Sequence, residues 1–269
     1  MASSERIFVQ AIRSYGARHG IDVDVRAGGW LIAMRRGAMR RFAFGYDIGL
    51  NSAIAHRLAN DKSATAEALS ILGVPCIPHH LFLNPKLGSN VVDAAWREAM
   101  LGLLLDNPQG VVVKPNEGTS GRSVFKVTTE TELDRAAGEV FSMSTGLVIS
   151  PYVEIENEVR VILLDDVPRV AYSKQRGSDW KHNLDAGAKP VLLEDGEVRA
   201  ACAKLAIDAA NAIGIAFVSI DVVHVDGEWR VLEINSGVMM EALGKLHPEL
   251  AQATYDAALD RVFEEQREH

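Results

Sequence analysis

The chain is poor in cysteine and short of basic charge, and it lacks long apolar runs and both common nucleotide fingerprints. Cys76 and Cys202 are the only two cysteines in 269 residues. Neither has a neighbouring His or Cys at ligand spacing, so neither a disulfide framework nor a zinc site is indicated, and both read as small buried hydrophobes. Lys and Arg number 28 against 36 Asp and Glu, a net charge of -8. That balance argues against a nucleic-acid partner or an anionic-membrane surface and points to a small partner. No apolar run approaches the roughly 18 residues of a membrane span, and the opening MASSERIFVQ has no apolar signal-peptide core, so a cytoplasmic protein is expected. GxxxxGK[ST] and GxGxxG are both absent, which removes Walker-type and Rossmann-type nucleotide sites.

What is present describes a soluble globular chain, 48% hydrophobic and 24% charged, long enough for one large domain or for two or three lobes. Phe8, Ala11, Ile12 and Tyr15 follow helical spacing, and IDVDV and WLIAMRRGAMRRFAFGY read as strands, together a small αβββ unit. A helix through Ser52–Leu58 leads to a second one capped by Asp61 or Ser63 and ended by Gly73 and Pro75. A third, from Val91 to Leu105, carries Trp96, Met100 and Leu104 on one side. Two hairpins follow, VVVK with VFKV around a polar glycine loop, and EVRVILL with RVAYSK over Asp165 and Asp166. A polar loop then spans Gln175 to Lys189. Val198, Ala201, Cys202, Leu205, Ala209 and Ile213 form a helical stripe closed by Gly214. The last hairpin pairs FVSIDVVHV with EWRVLEIN.

That last hairpin is chemically unusual. Strand side chains alternate faces, so Glu233 and Asn235 point one way while Leu232 and Ile234 point the other. Asp221, on the opposite arm, joins them only if the connection has an odd loop or a bulge, because a two-residue Asp226-Gly227 loop sets it opposite Leu232. Two carboxylates and an amide oxygen form a hard anionic site suited to magnesium; the plainer alternative is a solvated sheet face. In VVVKPNEGTSGRS, Lys114 precedes a loop where Gly118 and Gly121 let the backbone approach a ligand and Thr119 and Ser120 offer hydroxyls. Such a loop binds phosphate or merely turns a hairpin. In SKQRGSDWKHNLDAGAK, Lys174, Arg176, Lys181 and Asn183 gather positive charge and donors suited to an anionic substrate, or form a solvated loop. His79 and His80 lack further ligands and read as structural.

Taken together, LANDKSATAEALSILGVPCIP, VVVKPNEGTSGRSVFKV, ENEVRVILL and IDVVHVDGEWRVLEINSG resemble the ATP-grasp ligases, in order from Arg40 to Glu241. DWKHNLDAGAK is similar to the ribosomal-protein glutamate ligases and lysine-biosynthesis ligases. RRFAFGYDIGLNSAIAHRLANDKSAT is similar to cyanophycin synthetase and the bifunctional glutathione synthetases. The resemblance implies an α+β ATP-grasp fold, two α+β lobes holding ATP between antiparallel sheets, with a reduced N-terminal αβ unit. Residues 1–60 would form that unit, 61–150 the small lobe with the glycine loop, and 151–269 the large lobe with the magnesium site.

The same resemblance assigns Lys62, Lys114, Gly118, Thr119, Ser120 and Gly121 to the ATP phosphates. Tyr152 and Val153 would hold adenine, Leu232 would lie beneath it, and Glu158 would meet the ribose. Asp221, Glu233 and Asn235 would bind one or two magnesium ions, with manganese as a substitute. Arg160, Lys181 and Asn183 would act on the reacting groups, and Lys174, Arg176, Ser236 and Gly237 would meet substrate. The chemistry implied joins a carboxylate to an amine, or to a peptide terminus, through an acylphosphate. A small-molecule kinase and a silent nucleotide-binding module are the rivals. Two departures stand out: Pro151 replaces a glutamate usual in the adenine linker, and Ser219 stands where D-alanine-D-alanine ligases place an arginine. The reduced N-terminus leaves part of the substrate site to a second copy of the chain or to the substrate itself.

Overall fold

The computed structural model describes residues 5–88, 95–118, 121–175 and 189–264. Three antiparallel sheets organise them. Helix α1 (Ile7–His19) and strands β1 (Asp22–Arg26), β2 (Leu31–Arg36) and β3 (Met39–Phe44) form the αβββ unit that the spacing predicts. The buried stripe Phe8, Ala11, Ile12 and Tyr15 turns inward. Helices α2 (Ala53–Asn60) and α3 (Lys62–Ile71) follow. Ser52 caps α2 through Ala55 N, and Asp61 caps α3 through Ala64 N; Ser63 lies inside α3 and is not the cap.

The four-stranded sheet runs β4-β7-β5-β6, from β4 (His80–Leu83), β5 (Val111–Pro115), β6 (Phe125–Val127) and β7 (Gly146–Pro151). Helices α4 (Trp96–Asp106) and α5 (Glu130–Met143) cover it, with Met100, Leu104, Leu133 and Val140 packed against Val111, Val113 and Leu147. The expected start of α4 at Val91 lies outside the described residues. A capping box fixes α5, Thr129 and Glu132 each accepting from the other's backbone N–H.

The five-stranded sheet runs β10-β9-β8-β11-β12, from β8 (Asn157–Leu164), β9 (Val167–Gln175), β10 (Lys189–Leu192), β11 (Phe217–Val225) and β12 (Glu228–Asn235). Lys189, read from sequence as the end of a polar loop, opens the edge strand β10. On one face Val159, Val161, Val218 and Ile220 meet α6 (Glu197–Ile213) through Cys202, Leu205, Ala206 and Ala209. Val198, placed by periodicity on that stripe, is 45% exposed in the first turn of α6. Cys202 is buried as expected, but Cys76 is only half-buried. No described helix is long and apolar enough to cross a membrane.

The other face is divided. Ile162, Leu164, Val170, Tyr172 and Phe217 pack under α1 and the C-terminal helix α8 (Pro248–Glu264), where Phe8 meets Tyr255 edge-on at 5.3 Å. Tyr15 donates to Asp260 at 2.7 Å and so fastens α1 to α8. The rest of that face opens on a cleft, and the short helix α7 (Glu241–Leu246) stands at its edge.

Candidate functional site

Four neighbouring strands each place one residue in a row across the sheet. Over β9, β8, β11 and β12 the paired Cα atoms are Tyr172, Arg160, Asp221 and Glu233. Paired residues share a face. Arg160, Asp221 and Glu233 accordingly line one cleft of about 670 Å³.

The last hairpin makes this row possible. Asp226 and Gly227, at φ 51 and 80, form a two-residue turn between Val225 and Glu228, the type in which both central residues are left-handed. The odd loop is therefore not formed, and the bulge does the work instead. Between Asp221 and Val222 the partner changes from Glu233 to Val231, leaving Leu232 as the extra residue. The bulge also overturns the strict alternation expected of Leu232: it lines the cleft with Glu233 and Asn235, while Val231 and Ile234 reach the core.

Val112, Tyr152, Val153 and Leu232 form the apolar end of the cleft. There the Lys126 ammonium lies 3.3 Å above the Tyr152 ring, and Tyr152 N donates to Gly110 O at 3.0 Å. Next to it stand Lys62, Lys114, Gly118 and Gly121, joined by Arg122, which sequence reading did not single out. Lys62 Nζ donates to Gly118 O at 2.9 Å and lies 3.9 Å from Glu233 Oε1, tying the glycine loop to the carboxylate strand. Lys114 is buried, and desolvation pulls its ammonium down to about 8. Thr119 and Ser120 lie outside the described residues. His79 is buried beside these cations with Nδ1 2.9 Å from Ile77 O, and its burial holds its pKa well below the usual imidazole range.

Beneath the cleft is a buried cluster of two cations and two carboxylates. Arg160 donates from Nε and Nη2 to the two Asp221 oxygens, each at 2.7 Å. Lys174 Nζ donates to Asp221 Oδ2 at 2.8 Å and to Glu158 Oε1 at 2.5 Å. Burial alone would raise the Asp221 pKa, but Arg160 and Lys174 outweigh it and hold the carboxyl well below its usual range. In Glu158 burial prevails and the pKa is raised. Lys174, expected at the end of the strand RVAYSK and as a substrate donor, lies in β9, lines the cleft and is 7% exposed in this internal cluster. Glu158, expected at the ribose, lines the cleft but already receives Lys174.

The magnesium donor set is split by this cluster. Asp221 is 3% exposed and accepts three charged N–H groups, whereas the Glu233 carboxylate and Asn235 face the cleft beside Lys62. Among the described residues no three His, Cys, Asp or Glu side chains stand where they could hold a metal ion together. Glu233 and Asn235 fit a hard cation that takes its remaining ligands from water and phosphate; Asp221 would have to release a cation to join them.

Ser219 and Ser236 are each 1% exposed, line the cleft, and have hydroxyls without a hydrogen-bond partner among the described residues. Buried polar groups are almost always paired, so two orphans facing one cavity point to a ligand. Ser219, noted in the sequence only as a departure, is paired with Asn235 across β11 and β12. Gly237 lines the same wall. Arg176, Lys181 and Asn183 lie outside the described residues. Sequence reading also missed the far end of the cleft, where Trp30, Phe44, Tyr46, Asp47, His56 and Glu241 gather. Phe44, Tyr46, Asp47 and His56 fall within the stretch RRFAFGYDIGLNSAIAHRLANDKSAT that carries part of the resemblance, but as aromatics near the basic residues of a hairpin Trp30 and Phe44 are explained as well by strand propensity.

Known proteins share this architecture. A crystal structure of a D-alanine–D-alanine ligase from Bacillus anthracis complexed with ATP is similar, with a TM-score of 0.60 at 20% identity over 80% of this chain and 68% of that one. A bifunctional glutathione synthetase from Pasteurella multocida is also similar, with a TM-score of 0.56 at 14% identity over 97% of this chain and 44% of that one. In sequence, a tetrahydromethanopterin:alpha-L-glutamate ligase of Methanocaldococcus jannaschii is 26% identical over 195 residues, 70% of this chain. The chain spans 62% of that protein's length. The family model of the RimK-like ATP-grasp domain matches residues 78–253, which include both the glycine loop and the bulged carboxylate strand, and the chain belongs to that family.

Proposed function

We propose that the chain is an ATP- and magnesium-dependent carboxylate–amine ligase working through an acylphosphate. The observation that carries this reading is one cleft lined by Lys62, Lys114, Glu233 and Asn235, with Lys62 3.9 Å from Glu233, and also by Ser236 directly after Asn235, Ser219 on the adjacent strand and Arg160 one strand further. In this reading groups suited to phosphate and groups suited to an acyl oxygen share one cleft. The relatives' names mention alpha-L-glutamate ligation, which supports amide formation; the glutamate itself is not carried over, since substrate choice resides in local side chains.

ATP would lie between the four- and five-stranded sheets, adenine against Tyr152, Val153 and Leu232. Lys62, Lys114 and the backbone of Gly118 and Gly121 would hold its phosphates. Glu233 and Asn235 would hold magnesium, which when bound offsets phosphate charge. A substrate carboxylate oxygen attacks the γ-phosphorus and the bond to ADP breaks. The amine nitrogen then attacks the acyl carbon, the bond to phosphate breaks, and the amine proton passes to solvent. Arg160, whose Nε and Nη2 hold Asp221 and whose guanidinium lies beside Tyr172, would bring its positive charge to an acyl oxygen, and Ser219 and Ser236 would donate to the same group. Alignment and charge neutralisation supply the catalysis.

The test is ADP release from Mg-ATP with hydroxylamine present, across a panel of carboxylic acids. A hydroxamate is expected with the right acid; ADP with a phosphate ester and no hydroxamate would replace the ligase with a kinase.

Lys114 adds a pH prediction. Its folded value of about 8 lies below its ordinary 10.5, so between them the unfolded chain carries a proton that the folded ligand-free chain lacks. Stability should rise with pH through that window and fall as pH drops through 8. Phosphate beside Lys114 would restore its charge, so ATP binding at pH 9 should take up close to one proton. Calorimetry in two buffers of different ionisation heat measures this, and zero uptake would mean that Lys114 is already charged at pH 9 or does not meet the phosphates.

A further inference from the structure

We infer that the N-terminal αβββ unit forms the amine subsite of the cleft and that the amine it takes carries an aromatic ring. The inference rests on the ligase reading above and adds the substrate class. Trp30 and Phe44 line the far end of the cleft at 51% and 62% exposure, their rings edge-on with centroids 6.0 Å apart. Exposed large rings inside a cleft mark ligand contact more than chance exposure does.

The corner is held rigidly for residues that pack on so little. The Arg6 guanidinium lies 4.7 Å over the Tyr46 ring and 5.5 Å over Trp30, and it donates to Gly29 O and Gly45 O. Gly45 N donates to Trp30 O at 2.8 Å. Tyr46 donates to Glu241, whose carboxylate also accepts from Ile7 N and Phe8 N at the start of α1. A Cβ on Gly237 would stand 3.4 Å from Tyr46 Cβ, so this corner touches the turn that follows the carboxylate strand. Such fixed supports are what a binding site needs.

Charge decides which substrate enters. The cations that line the cleft, Lys62, Lys114, Arg122, Arg160 and Lys174, belong to the phosphate and acyl region, whereas the aromatic end presents Asp47, His56 and Glu241, and the Arg6 guanidinium there is taken up by Gly29 O and Gly45 O against the Trp30 and Tyr46 rings. Asp47 Oδ1 accepts from Gly49 N at 2.7 Å, and among the described residues the ion-pair partner of Oδ2 is His56 Nδ1 at 3.3 Å. An ammonium suits Asp47, and an aromatic ring beside that ammonium suits Trp30 and Phe44.

The experiment is calorimetric titration of the whole chain, with Mg-ATP present, by tyramine, phenylalanylglycine, isoamylamine and L-glutamate. Tyramine or phenylalanylglycine should bind at least about ten-fold tighter than isoamylamine or glutamate, the two aromatic probes separating a free amine from a peptide terminus. Trp30→Ala and Phe44→Ala should each weaken that binding by about ten-fold while ATP affinity moves less than about two-fold. Asp47→Asn should narrow the preference for tyramine over its neutral analogue tyrosol. Because Trp30 packs on Arg6 and Gly45, the more exposed Phe44 is the variant that decides if Trp30→Ala fails to fold. Equal or tighter binding of isoamylamine or glutamate, absence of saturable aromatic binding, or losses shared with ATP would overturn the inference. Hydroxamate formation alongside any of these results would leave the ligase standing, whereas its absence is the separate failure of that reading.

Discussion

Replacing Asp221 by alanine should cost the fold about 3–5 kcal/mol and end ADP release. Asp221 is the shared acceptor of Arg160 and Lys174, and all three are nearly enclosed, with side-chain exposures of 4%, 13% and 6%. Without Asp221 the four-membered cluster becomes two cations against Glu158 alone, and a buried cation without its partner costs far more than the intact pair contributes. Paired carboxylates on the surface give no such effect. Urea denaturation measures the change. A variant as stable as the parent would show that the cluster does not hold the sheet face together. Asp221→Asn should lie between, keeping hydrogen-bond acceptance by one oxygen while losing the charge.

Glu233→Gln should do the reverse, cutting ADP release by about 100-fold or more with little change in unfolding. The Glu233 carboxylate is one strand away from Asp221 but 25% exposed, and its nearest cation is Lys62 at 3.9 Å. A loose, half-open pair of that kind contributes little stability. Its value lies in what it can hold, a divalent cation and the phosphates with it, and glutamine is a much weaker ligand for a hard cation. Retained turnover would remove the metal assignment, and a stability loss matching that of Asp221→Ala would make Glu233 structural. The contrast between the two variants separates the carboxylate that builds the site from the one that works in it.

The difference between them was not legible in the sequence. Asp221, Glu233 and Asn235 could be named from strand alternation, and parity correctly required a bulge or an odd loop. Asp226-Gly227 is a strong two-residue turn signal, and it was obeyed; the extra residue went into the strand at Leu232, where no local propensity marks it. The ion pairs of Lys174 were hidden for a related reason. Lys174 stands at the edge of a polar stretch, and only the pairing of β9 with β8 brings it to Glu158 and on to Asp221. The αβββ unit was readable element by element from Phe8, Tyr15 and the hairpin. Its place on the large sheet was not, because contacts such as Tyr15 with Asp260 join residues more than two hundred positions apart. The aromatic end of the cleft arises from that placement, so Trp30 and Phe44 read only as strand residues until the unit is docked.

In the proposed reaction a carboxylate oxygen becomes bonded to the transferred phosphorus. The most direct measurement uses the acid that yields a hydroxamate, labelled with ¹⁸O in both carboxylate oxygens, together with Mg-ATP and an accepted amine, and mass analysis of the phosphate released. One ¹⁸O per phosphate is expected, with the other retained in the amide. Phosphate free of label, or label kept wholly in the acid while ADP accumulates, would contradict it.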